Sequence, residues 1–245
     1  MPKRLFASLL VLLLLLSPTR SQSQTNRWQT IEQPAAWYSL VVERPLTDRV
    51  SLWFDGQWRR SGLIDNPQQL LLRPGVMFTL TPSVRVGGGY AWIATAPYGE
   101  TPSLTPLREH RAWQQLSLTH RAAGLGISHR YRWEQRWLTP VRDSGAAVTS
   151  YQQRARYLVR AQGVLPRLRL GKGEVTGFVW NEVLLPVGHG DALIRLTQNR
   201  LGGGIGVPVS PRNRIEVGYM HLWNSLTASR VNEVNLTLTL SWLVK

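Results

Sequence analysis

The last segment of the chain shows the pattern most clearly. After Asn232, residues Val234, Leu236, Leu238, Leu240, Trp242 and Val244 fall on one face, while Glu233, Asn235, Thr237, Thr239 and Ser241 fall on the other. Successive side chains of a strand point to opposite sides, so this period of two predicts a strand with one apolar and one polar face. Its length suits the roughly 9–11 residues that a tilted strand needs to cross a bilayer.

The alternation recurs upstream. Val50, Leu52, Phe54, Gly56 and Trp58 oppose Arg49, Ser51, Trp53, Asp55, Gln57 and Arg59; Leu70, Leu72, Val76, Phe78 and Leu80 oppose Gln69, Arg73, Gly75 and Thr79. His129, Tyr131, Trp133 and Trp137 oppose Arg130, Arg132, Glu134 and Arg136; Tyr151, Ala155, Tyr157, Val159 and Ala161 oppose Gln152, Arg154, Arg156 and Arg160. Ile215, Val217, Tyr219 and Trp223 oppose Arg214, Glu216 and Gly218. Weaker alternation marks 36–44, 84–94, 107–119, 168–185 and 193–207. Pro74 and the glycine runs 87–89 and 202–204 point to bulges or to crowded walls in their strands.

Short turns are predicted at 45–48, 81–83, 121–124, 164–167 and 210–213, and longer loops at 61–67, 95–106, 138–149, 186–192 and 224–230. Tight turns at one end and long loops at the other are the habit of outer-membrane barrels. Eleven candidate strands run from residue 36 onward, and bacterial single-chain barrels usually hold an even number. An extra strand at 25–33 brings the expectation to twelve; loss of a weak candidate brings it to ten. The predicted fold is therefore all-β, an up-and-down antiparallel transmembrane β-barrel.

The first residues point to export. Lys3 and Arg4 precede an unbroken apolar run from Leu9 to Leu16, Ser17 and Pro18 break it, and Ser21 and Ser23 supply small residues before a cleavage site. That is the pattern of a secretory signal peptide over 1–23, and the run is too short to span a bilayer as a helix. Residues 24–245 then form one barrel domain, in the bacterial outer membrane. Removing Lys3, Arg4 and Arg20 lowers the formal charge from the +15 of the whole chain to +12. Later apolar runs are short and interrupted, and a segment in lipid must satisfy its own backbone, which leaves a closed barrel as the way across. Eleven tryptophans fit aromatic belts at the two membrane–water boundaries.

Charge changes the picture on the polar faces. Asp55, Arg59, Arg73, Glu109, Arg111, Arg130, Arg132, Glu134, Arg136, Arg154, Arg156, Arg160, Glu182, Arg200, Arg214 and Glu216 occupy them. An arginine at the lipid-facing midplane costs about 2–4 kcal/mol, so these side chains are predicted to face the lumen. Arginine's planar fork suits bidentate pairing with carboxylates or phosphates. The ladder therefore reads in two ways, as a salt-bridged plug or as a narrow anion-tolerant channel, with spare arginines forming an internal site for a small anionic solute. Rim residues such as Arg142 offer the same electrostatics to lipopolysaccharide phosphates.

The order of Glu109-His-Arg-Ala-Trp-Gln-Gln-Leu, His129-Arg-Tyr-Arg-Trp-Glu-Gln-Arg-Trp, Arg154-Ala-Arg-Tyr, Trp180-Asn-Glu, Gln198-Asn-Arg and Glu216-Val-Gly-Tyr resembles the domain of unknown function 2490 family. That resemblance implies location and architecture, an exported outer-membrane barrel, and carries no activity; the expected partners are outer-membrane lipid, lipopolysaccharide and the barrel-assembly machinery. The chain ends Trp242-Leu-Val-Lys245, where many such barrels end in an aromatic residue.

Catalytic signals are sparse. A lipid-modifying hydrolase of the outer membrane needs a Ser–His pair, for which Ser117 with His129, or His221 with Ser225, are the candidates. No Gly-x-Ser-x-Gly elbow is present, the five histidines lack metal-ligand spacing, and the glycine clusters carry no nucleotide fingerprint. Neither cofactor nor metal is expected, nor nucleic acid despite the basic charge. A soluble periplasmic barrel binding a ligand as lipocalins do is the remaining alternative, and a continuous apolar outer belt argues against it.

Overall fold

The computed structural model describes residues 29–98, 105–142, 145–170, 173–188, 197–225 and 229–243. The expected signal peptide and the first part of the 25–33 segment lie outside the described residues. Eleven strands follow one another: β1 Gln29–Pro45, β2 Val50–Ser61, β3 Asn66–Thr81, β4 Val84–Thr95, β5 Leu107–Ala122, β6 Leu125–Pro140, β7 Ser150–Leu170, β8 Gly173–Val187, β9 Gln198–Pro208, β10 Asn213–Ser225 and β11 Ser229–Leu243. They close into a single barrel in which each strand is hydrogen-bonded to its neighbours in sequence.

The barrel class is the expected one, and its closure differs in one respect. The two segments expected at 25–33 and 36–44 run on as the single strand β1, so the described barrel has eleven strands where parity suggested twelve. The intervening Gln33-Pro-Ala-Ala36 lacks the Asn or Gly that a tight hairpin places at positive φ. With an odd number, the first and last strands run in the same direction. Closure is accordingly a parallel pair, β1 with β11, in register from Gln29↔Ser229 to Glu43↔Leu243; the other ten pairings are antiparallel.

The connections also sharpen. One end carries tight turns, among them the two-residue turn Ala123-Gly124, whose φ values of 50° and 81° match the right-handed twist of the flanking strands. At the other end the β4–β5, β6–β7 and β8–β9 connections are long. The β2–β3 and β10–β11 connections, expected to be long, are only residues 62–65 and 226–228, because their strands continue further than the alternation indicated.

The outward face is apolar along the strands, with Leu52, Leu72, Val179, Ile205, Val217, Leu236 and Leu238 all exposed. Aromatic side chains collect toward both ends. Trp58, Trp137, Tyr151 and Trp223 stand at the loop end, and Phe78, Trp242 and a cluster of His120, His129, Tyr157 and Tyr131 stand toward the turn end. Outward amides pair with one another: Gln114 and Gln135 exchange hydrogen bonds of 3.2 and 3.1 Å, and Asn181 donates to Asn199 at 3.0 Å. Mutual pairing is what keeps a polar side chain tolerable on an apolar face.

The glycine runs are crowded walls. The register passes through 87–89 and 202–204 without a break; the bulges sit at Arg59/Arg60, Thr79/Thr81 and Val164/Arg169. Trp113 lies flat against Gly75 and Gly89, where a Cβ would come within 2.3 and 2.9 Å of its ring. Trp180 uses Gly202 in the same way, with 2.6 Å to the ring. Glycine is the residue that lets a bicyclic side chain lie against the wall of a narrow barrel.

Candidate functional site

Inward positions of β2 to β10 build an ionic network across the lumen. Strand parity puts Glu109 and Arg111 of β5, then Arg130, Arg132, Glu134 and Arg136 of β6, then Arg154, Arg156 and Arg160 of β7, on the inner face. β2 and β3 add the pair Asp55–Arg73, β8 and β9 add Glu182 and Arg200, and β10 adds Arg214 and Glu216. With Arg59 of β2, which lies over the inward Trp37 ring, all sixteen residues of the sequence-derived ladder face the interior.

The four ladder glutamates are each shared between arginines. Glu109 accepts from Arg111 and Arg136, the latter at 2.5 Å. Glu134, 1% exposed, accepts from Arg154 at 2.5 Å and Arg156 at 2.8 Å, with Arg111 at 3.5 Å. Glu182 accepts from Arg156 at 2.7 Å, Arg130 at 2.9 Å and Arg200 at 3.1 Å. Glu216 binds Arg160 at 2.7 Å and Arg214 at 3.0 Å, and Asp55 binds Arg73 at 3.1 Å. Arg111 and Arg156 each bridge two glutamates, so the three central carboxylates form one connected chain.

Two ladder arginines are held without a carboxylate among the described residues. Arg59 donates to Gln57 and Gln69 and lies 3.6 Å over the Trp37 ring. Arg132 donates to Gln115 and sits between Trp113, at 4.9 Å, and Trp53, at 5.7 Å. A cation on an aromatic face gains about 0.5–2 kcal/mol, more when water is excluded. Trp53 and Trp113 meet edge to face at 5.5 Å. Around them Leu71, Met77, Ala91 and Ile93 form a buried apolar cluster, and Ala35, Trp37, Met220 and Leu222 form a second. Packed side chains and paired charges therefore line the waist of the barrel.

Sequence reasoning missed one ion pair and the aromatic lining. Glu43 of β1 and Arg85 of β4 pair near the turn end, with Ser51 donating to Glu43 at 2.7 Å. Both lie in segments whose alternation was weak, although Arg85 shares the parity of Gly87 and Gly89. Trp37, Trp113 and Trp180 point inward, against the expectation that tryptophan belongs to the outer belts, and Trp53 joins them on the polar face where the alternation put it. The accompanying Gly75, Gly89 and Gly202 were the signal available for two of them. With Glu43 and Arg85 included, twelve arginines meet six carboxylates in this network, so the interior carries a cationic excess.

The hydrolase candidates do not assemble. Ser117 is in register with Arg130 and faces the lumen, where Gln115 donates to it at 2.8 Å. His129 is one residue out of phase, faces outward and bonds the Tyr157 hydroxyl at 2.9 Å. His221 lies tilted against Trp223 on the outer face, with ring centroids 4.2 Å apart. Ser225 lies four residues further along the same strand, about 13 Å away at strand rise. No group of three His, Cys, Asp or Glu that could hold a metal occurs among the described residues.

Cavities open at the rims. One of about 420 Å³ at the turn end is lined by Ser83, Thr119, Arg121, Ser128 and Arg160. Another of about 420 Å³ at the loop end is lined by Trp58, Arg60, Leu70, Ala94 and Arg108.

An uncharacterized protein of Methylorubrum extorquens is 24% identical over 220 residues, covering 89% of this chain and 90% of its own length. No solved structure matches the chain. Residues 35–233 match the model of the family described as protein of unknown function DUF2490, and the chain belongs to that family.

Proposed function

We propose that this protein is an integral outer-membrane barrel whose lumen is closed at the waist, serving as a structural and binding barrel rather than an open conduit. One observation carries the reading: the charged waist is dehydrated and internally paired. Glu109, Glu134, Glu182, Asp55, Arg73, Arg111 and Arg156 are all buried inside the barrel, each in at least one ion pair. Apolar residues face the other way. This inside-out distribution suits lipid outside, and it is the reverse of a soluble ligand-binding barrel, whose outer face meets water. The strands, 11 to 21 residues long, exceed the roughly 9–11 needed to cross.

The anion-tolerant channel is the second reading, favoured by the arginine excess and by the vestibule where Arg121 and Arg160 lie beside Ser83, Thr119 and Ser128. Planar-bilayer recording of the refolded protein separates the two. The closed reading expects no steady current at either polarity, and Arg132→Gln with Arg156→Gln then lowers stability without creating selectivity. A steady anion-selective current from the wild-type protein overturns it.

A further inference from the structure

Among the described side chains at the loop end, two arginines break the rule that charge faces inward. Arg60 and Arg108 stand on the outer face at the loop end, each stacked on an outward tryptophan: Arg60 lies 4.8 Å over Trp58 and Arg108 lies 5.5 Å over Trp92. Both line the same cavity of about 420 Å³.

The floor of that cavity is one cross-strand row. Register places Trp58 beside Leu70, Leu70 beside Ala94 and Ala94 beside Arg108. At a strand spacing of about 4.8 Å, the row from Trp58 to Arg108 spans roughly 14 Å. Ala94, the small residue between bulky neighbours, makes the notch; Pro67, Pro106, Leu107 and Val141 form its apolar border. Arg60 is held ready, donating through Nε to the Ile64 carbonyl at 2.9 Å and through Nη2 to the Asp65 carbonyl at 2.5 Å. The Asp65 carboxylate turns toward Gly62.

We propose that this notch is a docking site for lipopolysaccharide, with Arg60 and Arg108 each taking one phosphate of its diphosphorylated glucosamine disaccharide and the apolar floor receiving acyl chain. The inference rests on the outer-membrane reading. An outward arginine is costly at lipid depth and cheap at the boundary, where phosphate is available. Two such sites separated by an apolar row fit a head group with phosphates two sugar rings apart. A single-phosphate phospholipid engages one of the two arginines at a time.

Native mass spectrometry of the full-length barrel, refolded in zwitterionic detergent, tests this with diphosphoryl lipid A, monophosphoryl lipid A and phosphatidylglycerol as separate probes. The wild-type barrel is expected to retain diphosphoryl lipid A best, and the R60Q/R108Q double variant to lose on the order of tenfold in its retention. The single variant R108Q, which leaves the loop contacts of Arg60 intact, is expected to fall between them. Equal retention of all three lipids, or of diphosphoryl lipid A by wild type and double variant, overturns the proposal. Heat-modifiable gel mobility and insertion into liposomes, measured on the same samples, report the outer-membrane reading separately: a barrel that inserts but shows no preference refutes only the docking site.

Discussion

Glu134 is the carboxylate on which the waist depends most. It accepts two hydrogen bonds from Arg154, at 2.5 and 2.9 Å, and one from Arg156 at 2.8 Å, with Arg111 within 3.5 Å. Glu134→Gln keeps the shape and removes the charge. Arg111 retains Glu109 and Arg156 retains Glu182, whereas Arg154 has no other ion-pair carboxylate among the described residues. One desolvated cation is then left unbalanced. Stranding a charge in this way costs about 3–5 kcal/mol. Arg154 keeps 15% of its side chain in contact with solvent, which places the expected loss near the lower figure, roughly two orders of magnitude in the folding equilibrium. The assay is urea unfolding of the barrel in lipid vesicles, followed by tryptophan fluorescence, on wild type, E134Q, R154Q and the double variant. Because the two side chains touch, the double variant is expected to depart from additivity by about 1–3 kcal/mol, in the direction of partial rescue. A loss below about 1 kcal/mol in E134Q, or strict additivity in the double variant, refutes the view that the network is dehydrated and mutually dependent.

Two further outcomes follow from the same geometry. Arginine placed at Leu72, midway along β3, should destabilise the vesicle-inserted barrel by about 2–4 kcal/mol, against 0–1 kcal/mol at Leu80 near the turn; equal effects in vesicle unfolding contradict the lipid-facing assignment. Gly89→Ala brings a Cβ within 2.3 Å of the Pro74 carbonyl and 2.9 Å of the Trp113 ring, so it should cost about 1–3 kcal/mol and red-shift the Trp113 emission as the ring leaves its seat; a neutral result removes the steric account of the glycine run.

Period-two alternation alone determined the class of fold, the face each ladder charge takes and most strand positions, because a strand's side chains alternate whatever its partners are. All sixteen ladder residues face inward for that reason. Direct neighbours such as Asp55–Arg73, Glu134–Arg154 and Glu182–Arg200 follow from register, once the turns are known. Other features belong to the closed barrel. Arg160 reaches Glu216 and Arg85 reaches Glu43 past two intervening strands, and curvature and closure decide such meetings. The strand count was likewise settled by how the ends meet: a continuous β1 paired parallel to β11 replaced the expected extra hairpin. Inward tryptophans on glycine walls depend on the barrel's width, a quantity that a linear pattern does not carry. Local periodicity is a property of each strand; which charge neutralises which is a property of the space they enclose.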